Sequence, residues 1–312
     1  MSEPPTSAPV TASRVAARPG RADPIGFTRT DLMLCGMVLV WGVNYIVIKA
    51  AMREITPLAF NAVRFSLAAF ALVLIAWLSG ARRPSRADLG RLALMGVIGN
   101  TIYQYGFIQG VAHTRAGNAA LLFAAVPVQT AVLSHLVGHE RLRLRDVLGL
   151  LVSVAGIAVI VLGSGKGADL GGAVTGDMLI LGATLCWTCY VVGVKPLVDR
   201  NGAIASTAWT MGLGAIPLVL YSLPSVSAQP WRGVSAVAWG GLVFSSMGAL
   251  VVAYLIWFRG VRRLGASRTA IYSNVTPVVT MAAAWPMLGE RPTPWQLVGA
   301  VGIFTGLWLT RT

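Results

Sequence analysis

The sequence predicts an all-α integral membrane protein, with ten transmembrane helices arranged as two inverted five-helix repeats around a central cavity. Three observations carry this expectation. The 312 residues are 55% hydrophobic and only 12% charged, with a mean hydropathy of +0.70, whereas an ordinary soluble domain carries roughly 25% charged residues. Apolar runs of about 17–25 residues, each able to cross ~30 Å of hydrocarbon, recur from residue 32 to residue 310. The second half of the chain also repeats the first.

Shifted by 150 positions, residues 110–157 lie over 260–307 without a gap, with roughly a quarter of the aligned positions identical. Gly110-Val111 meets Gly260-Val261, Pro127-Val128 meets Pro277-Val278, and Glu140-Arg141 meets Glu290-Arg291. Further forward, Trp41-x7-Lys49 matches Trp187-x7-Lys195 at a slightly smaller offset. Each half then holds five spans, and an odd number turns the second copy over in the bilayer. Two such halves meeting at the midplane suit a secondary transporter, because they give related inward-open and outward-open states. The expected organisation is a tail over 1–30, a first repeat over 31–163, a linker over 164–176 and the inverted repeat over 177–312.

By hydropathy the spans lie near 32–52, 57–79, 89–110, 115–137 and 146–163, then 177–198, 203–223, 234–260, 266–288 and 294–310. The net charge of +14 follows this pattern. Arg14, Arg18, Arg21 and Arg29 precede the first span; Arg82, Arg83, Arg86 and Arg91 separate spans two and three. Arg141, Arg143 and Arg145 lie between spans four and five, Lys195 and Arg200 after span six, and Arg259, Arg262, Arg263 and Arg268 after span eight. The alternate loops carry fewer basic residues, so the positive-inside rule puts both termini in the cytoplasm of a plasma (inner) membrane protein. Basicity here is an orientation signal rather than a nucleic-acid footprint. The aperiodic Pro-, Ser-, Ala- and Arg-rich residues 1–24 read as a disordered tail. They lack the apolar core and cleavage site of a signal peptide, so the first span is expected to be retained.

In span one, Trp41, Asn44, Tyr45 and Ile48 follow a single helical stripe. Such a stripe can let Asn44 bond a neighbouring helix while the aromatics fill space, but the preferred reading is that Trp41, Asn44 and Tyr45 line the cavity and contact substrate. Span two contains Arg64, the strong charge inside the predicted membrane. It can hold the carboxylate of an amino acid or organic acid. Lying only ~10 Å below the surface, it can instead snorkel or pair with Glu54, and that structural role is the preferred reading. Span three, "NTIYQYGFIQG", is the most polar, and Asn100, Tyr103 and Gln104 are expected to face the pore. Its Gly106 and Gly110 form a GxxxG suited to close helix approach.

Spans four and nine carry Pro127 and Pro277, expected as kinks and hinges near Gln129, and beside them Tyr272 and Asn274 are expected to contact substrate. After span five, "GSGKG" at 163–167 lacks the spacing of a phosphate-binding loop. Span six places Trp187 and Tyr190 where span one has its aromatic stripe. Cys186 and Cys189 form a CxxC without further ligands or a thioredoxin setting, which reads as packing rather than a metal or redox site. No cofactor is expected.

These residues resemble a known family. "VWGVNYIVIKAAMREITPLAFNAVRFSLAA" at 40–69 is similar to the opening of EamA-type permeases of the drug/metabolite transporter superfamily. Residues 114–160 resemble that family's fourth and fifth spans, and 265–307 the same module in its second copy. "VGHER" departs from the pattern, with His139 where glycine is usual. The resemblance implies ten spans in two inverted halves around a cavity, and export of amino acids, other metabolites or drugs.

All eleven carboxylates fall outside the predicted membrane centre. A proton-coupled exporter of lipophilic cations needs one there, so the expected cargo is a neutral or zwitterionic small molecule. If protons couple, Glu140, Glu290, His113 and His135 are the candidates. The leading expectation is a secondary exporter of small metabolites such as amino acids, working by alternating access, with the lipid bilayer as its other partner. An uptake permease and a membrane receptor or sensor are the alternatives. An intramembrane hydrolase lacks a nucleophile or glutamate partner for its histidines. Transport direction, and whether the chain is a monomer or homodimer, stay open.

Overall fold

The structure is a computed structural model that describes residues 28–136, 144–164, 170–264, 269 and 272–309. Among the described residues it is helical without strands, and every expected span falls on helix. Helix α1 (Arg29–Ala51) starts at a capping box, in which Thr28 and Asp31 satisfy each other's backbone N–H groups. Helix α2 (Pro57–Leu78) opens on a proline, whose missing N–H costs nothing in the first turn. The third rod is α3 (Arg86–Gly96), a π-helical stretch (Val97–Ile102) and α4 (Tyr103–His113). Span four is divided into α5 (Ala116–Phe123) and α6 (Val126–Leu136), followed by α7 (Leu144–Ser164).

Helix α8 (Leu170–Asn201) begins inside the expected linker and runs for 32 residues. Then come α9 (Ala203–Ala228), α10 (Ala236–Val243), a second π-helical stretch (Phe244–Val252) and α11 (Ala253–Leu264). Helices α12 (Thr276–Leu288) and α13 (Pro294–Leu309) complete the described chain. Ser85 caps α3 and Ser235, 150 positions on, caps α10.

Among the described residues, five helices are long and apolar enough to cross a membrane alone, and α5–α6, α7 and α12 give shorter apolar segments. At Pro127 and Pro277 the helices are interrupted rather than continuous. A two-residue turn at Ala124-Ala125 ends α5, another at Asn274-Val275 precedes α12, and each proline is the second residue of the new helix. A proline in a first turn breaks no helical hydrogen bond. The prolines inside helices are Pro196, Pro217, Pro224 and Pro286.

Helix α7 lies along α13 and α2 along α9, while the third rod packs on α8 and α9, and α10–α11 on α1 and α2. Glycines permit the first of these contacts. A methyl added at Gly306 would stand 2.1 Å from Ser153 Oγ and 2.3 Å from the Gly149 carbonyl; one at Gly156 would stand 2.7 Å from the Gly299 carbonyl. The expected approach at Gly106 and Gly110 is present, against the backbone of α8 at Leu179 and Gly176. The exterior exposes a belt of large apolar residues, including Phe70, Trp77, Leu220, Val301 and Trp308, which in water would be a severe liability. Polar ties gather at two ends of the bundle. One end holds Lys49, Thr114 and Glu290; the other holds the Asp88 carboxylate, to which Arg200 donates at 2.6 Å and Asn201 at 3.0 Å.

Candidate functional site

Most of the expected site residues converge on a buried aromatic and amide cluster between these ends. Trp187 of α8 stacks at 5.1 Å from Tyr103, 5.4 Å from Tyr190 and 5.6 Å from Tyr254. Tyr103 continues through Phe107, 5.7 Å away, to Tyr45, whose ring lies 5.5 Å from Phe107. On the other side Trp41 meets Tyr254 at 6.3 Å and Trp257 at 5.6 Å. The Trp41 indole N–H donates to the Ala249 carbonyl at 3.0 Å, in the second π-helical stretch. Such stretches displace neighbouring side chains and free backbone groups, and they concentrate at functional sites.

Asn100 lies in the first π-helical stretch, fully buried, with no hydrogen bond to either amide atom. Gly99 beside it has no side chain because the Tyr190 ring fills the space: a methyl there would meet that ring at 2.2 Å. Tyr190 OH lies 3.1 Å from Thr210 Oγ1 on α9. Asn44 is buried in α1, and its Oδ1 likewise lacks a partner. An orphaned buried amide costs about 1–3 kcal/mol, which makes it poor interhelical glue.

Arg64 corrects the preferred sequence reading. It neither snorkels nor reaches Glu54, and it is 1% exposed. Its Nη2 donates to Gln104 Oε1 at 3.1 Å, and its guanidinium sits 5.9 Å from the centre of the Phe107 ring. Nε and Nη1 have no hydrogen-bond partner, and among the described residues Arg64 joins no ion pair. Glu54 is occupied elsewhere, accepting from the Ser235 N–H at 2.7 Å and hydroxyl at 2.8 Å. Those two bonds hold its carboxyl below the usual carboxylate range. A buried guanidinium without a carboxylate is costly unless acceptors reach it.

Other expected residues lie elsewhere. Tyr272 donates its hydroxyl to Asp31 at 2.6 Å, at the start of α1, and Asn274 lies in the turn before α12. Gln129 links α6 to α8 through Thr184 and Thr188. The side chain of Pro127 lies outside the described residues, and Glu140 lies outside them altogether. Glu290 accepts from Lys49 and, through Oε2, from the Ala116 N–H at 2.9 Å, so it caps α5. His113 Nδ1 lies 2.7 Å from the Gln109 carbonyl oxygen, and His135 is exposed. Asp31 and Asp177 are buried near helix ends, Asp177 accepting from Thr114 at 2.5 Å. Cys186 and Cys189 are free thiols, and no cluster of metal ligands occurs among the described residues.

Above the cluster, a cleft of about 580 Å³ opens at the Lys49 end, lined by Lys49, Arg53, Pro57, Gln109, His113 and Glu290 among others. Sequence reasoning missed Asn61, Phe107, Phe123, Tyr254 and Trp257. The repeat held a signal for the last two: extending the 150-residue shift back six residues sets Gln104 over Tyr254 and Phe107 over Trp257. Asn61 precedes Arg64 by three residues, on the same helix face.

The profile of the EamA-like transporter family matches the chain twice, over residues 28–162 and 174–312. Among similar curated proteins, an uncharacterized transporter of Bacillus subtilis, YyaM, is 26% identical over 88% of this chain and 91% of its own length. A probable terminal-alkyne amino-acid exporter of Streptantibioticus cattleyicolor is 28% identical, covering 85% of this chain and 88% of its own. A probable amino-acid metabolite efflux pump of Salmonella typhimurium is 29% identical over 88% and 91% respectively. One solved crystal structure shares the fold, with a TM-score of 0.62 at 19% identity over 90% of this chain and 96% of that one.

Proposed function

This chain belongs to the EamA-like transporter family, and from that premise we propose that it is a secondary carrier exporting small neutral or zwitterionic metabolites such as amino acids. The observation that carries the reading is the buried cluster in which Trp41, Tyr45 and Tyr103 from the first half meet Trp187, Tyr190 and Tyr254 from the second. Aromatic faces and amides bind an uncharged or zwitterionic solute without a buried acid that must first shed a proton. The names of the Streptantibioticus and Salmonella relatives support amino-acid cargo and an outward direction.

Alternating access follows from two inverted five-span halves. The pairing of α2 with α9 and of α7 with α13, the π-helical stretch in spans three and eight, and the turns at 124–125 and 274–275 support that reading. Rocking one half against the other exposes the cluster to each face in turn. The Lys49–Glu290 end is then external, and Asp88–Arg200 cytoplasmic, as the positive-inside rule requires. Both termini lie in the cytoplasm, and the membrane is the plasma membrane. Counterflow in proteoliposomes, using a panel of labelled neutral amino acids, tests this: accumulation against an internal unlabelled pool is expected, and no accumulation of any of them refutes it.

A further inference from the structure

We infer that the site selects cargo by its carboxylate, held by Arg64, with the cargo's α-ammonium received by Asn61; the cargo is thus an α-amino-acid zwitterion. This inference rests on the transporter reading and names the substrate class of its site. Arg64 and Asn61 lie three residues apart on one face of α2, and both are fully or almost fully buried. Their unpartnered atoms are complementary to a zwitterion: Nε and Nη1 of Arg64 are donors, and Oδ1 of Asn61 is an acceptor. The remaining groups orient the pair. Gln104 Oε1 accepts from Arg64 Nη2, leaving Nε and Nη1 as free donors for charge-assisted bonds to a carboxylate. The Asn61 amide donates at 3.3 Å to the Gln104 carbonyl, which aims Oδ1 away from that backbone. Phe107 supplies an apolar floor beneath the guanidinium.

The repeat isolates this charge. With the front-half offset, Arg64 falls over Thr210, so the second half has no equivalent cation. A cleft lies toward this site at the Lys49 end. Gln109 of the cleft is five residues, or about 7.5 Å of helix, from Gln104, and Pro57 is about 10 Å from Arg64. With Lys49 paired to Glu290, Arg53 adds a further cation to that lining, which favours an anionic group.

The test uses the full chain in proteoliposomes and in detergent. Counterflow of labelled L-leucine, L-phenylalanine and L-threonine is competed with each parent acid, its carboxamide and its N-acetyl derivative; thermal shifts with the same compounds read binding directly. Charge-assisted bonds of this kind predict at least about a tenfold weaker effect of both derivatives than of the parent. Arg64→Lys, which keeps the charge but loses the planar guanidinium donors, should weaken the parent about tenfold as well. Gln104→Glu places an internal carboxylate on the guanidinium, so it should elute and melt like the wild type yet lose the preference for acid over amide. A merely structural Gln104 would leave that preference unchanged. Equal competition by the carboxamide or the N-acetyl compound, or a Gln104→Glu variant that still prefers the acid, overturns the inference while leaving transport intact. If no parent acid moves or shifts the melting temperature, the transport reading fails, and the inference falls with it.

Discussion

Lys49 Nζ and Glu290 Oε1 meet at 3.1 Å although 241 positions separate them in the chain. The same ammonium donates to the Thr114 carbonyl at 2.5 Å, and the same carboxylate caps α5 at Ala116. One ion pair therefore joins the ends of α1, α4 and α5 to the turn between α12 and α13. In an alternating carrier such a tie stabilises the conformation closed at that end.

Breaking the tie should open that end. Partly exposed pairs contribute about 1 kcal/mol, so Glu290→Gln should shift the conformational equilibrium about fivefold. A cysteine at Asn61, fully buried here, reports the change: its reaction with an impermeant maleimide should accelerate about as much in the double variant. An unchanged rate would remove Lys49–Glu290 as a latch.

The aromatic wall predicts a loss of rate without a loss of assembly. Trp187→Ala removes contacts to three rings and Trp41→Ala to two. At about 0.5–1.5 kcal/mol per ring pair, each variant should transport several-fold more slowly while inserting normally in the membrane. Wild-type rates in both would refute a substrate-contacting role.

Helix packing makes a separate stability prediction. Gly306→Ala must push apart α7 and α13, since its methyl meets the Gly149 carbonyl and Ser153, and overpacking typically costs about 1–3 kcal/mol. Gly182→Ala meets nothing within 4 Å, so helix propensity alone should make it neutral or stabilising by up to about 1 kcal/mol. Thermal unfolding in detergent should lower the melting temperature for the first substitution and spare the second.

Glu54 supplies a pH dependence of defined sign. Its folded-state pKa is lowered from 4.5 by the Ser235 backbone and hydroxyl bonds. Its stabilising contribution is therefore present above that value and is lost as pH falls through the lower folded-state value. The melting-temperature difference between wild type and Glu54→Gln should be largest near neutral pH and shrink in acid. A difference independent of pH contradicts the assignment.

Much of the scaffold was legible in hydropathy because lipid imposes length and apolarity on every span. The close approach at Gly106 and Gly110 was legible for a similar reason: a missing side chain leaves a mark in sequence. The aromatic stripe at Trp41 and Tyr45 was readable from helical period. Arg64 was not, because depth along a helix does not say which face is enclosed; Phe107 and Gln104, forty residues on, decide that. At Pro127 and Pro277 the sequence does not say where the helix is interrupted; a proline in the first turn of a helix and one inside a helix look alike there, and the turns at 124–125 and 274–275 separate the cases. Tyr272 was drawn to Asp31 by a capping arrangement formed over long range, which no local pattern announces.

The inverted arrangement of the halves is the claim on which alternating access depends, and sided labelling tests it directly. In a background with Cys35, Cys186 and Cys189 replaced, single cysteines are placed at Glu54, between spans one and two, and at Arg200, at the corresponding junction of the second half. An impermeant maleimide applied to intact cells should label position 54, and reach position 200 only after permeabilisation. Labelling of both positions from the same side would contradict inverted halves and, with them, the proposed mechanism.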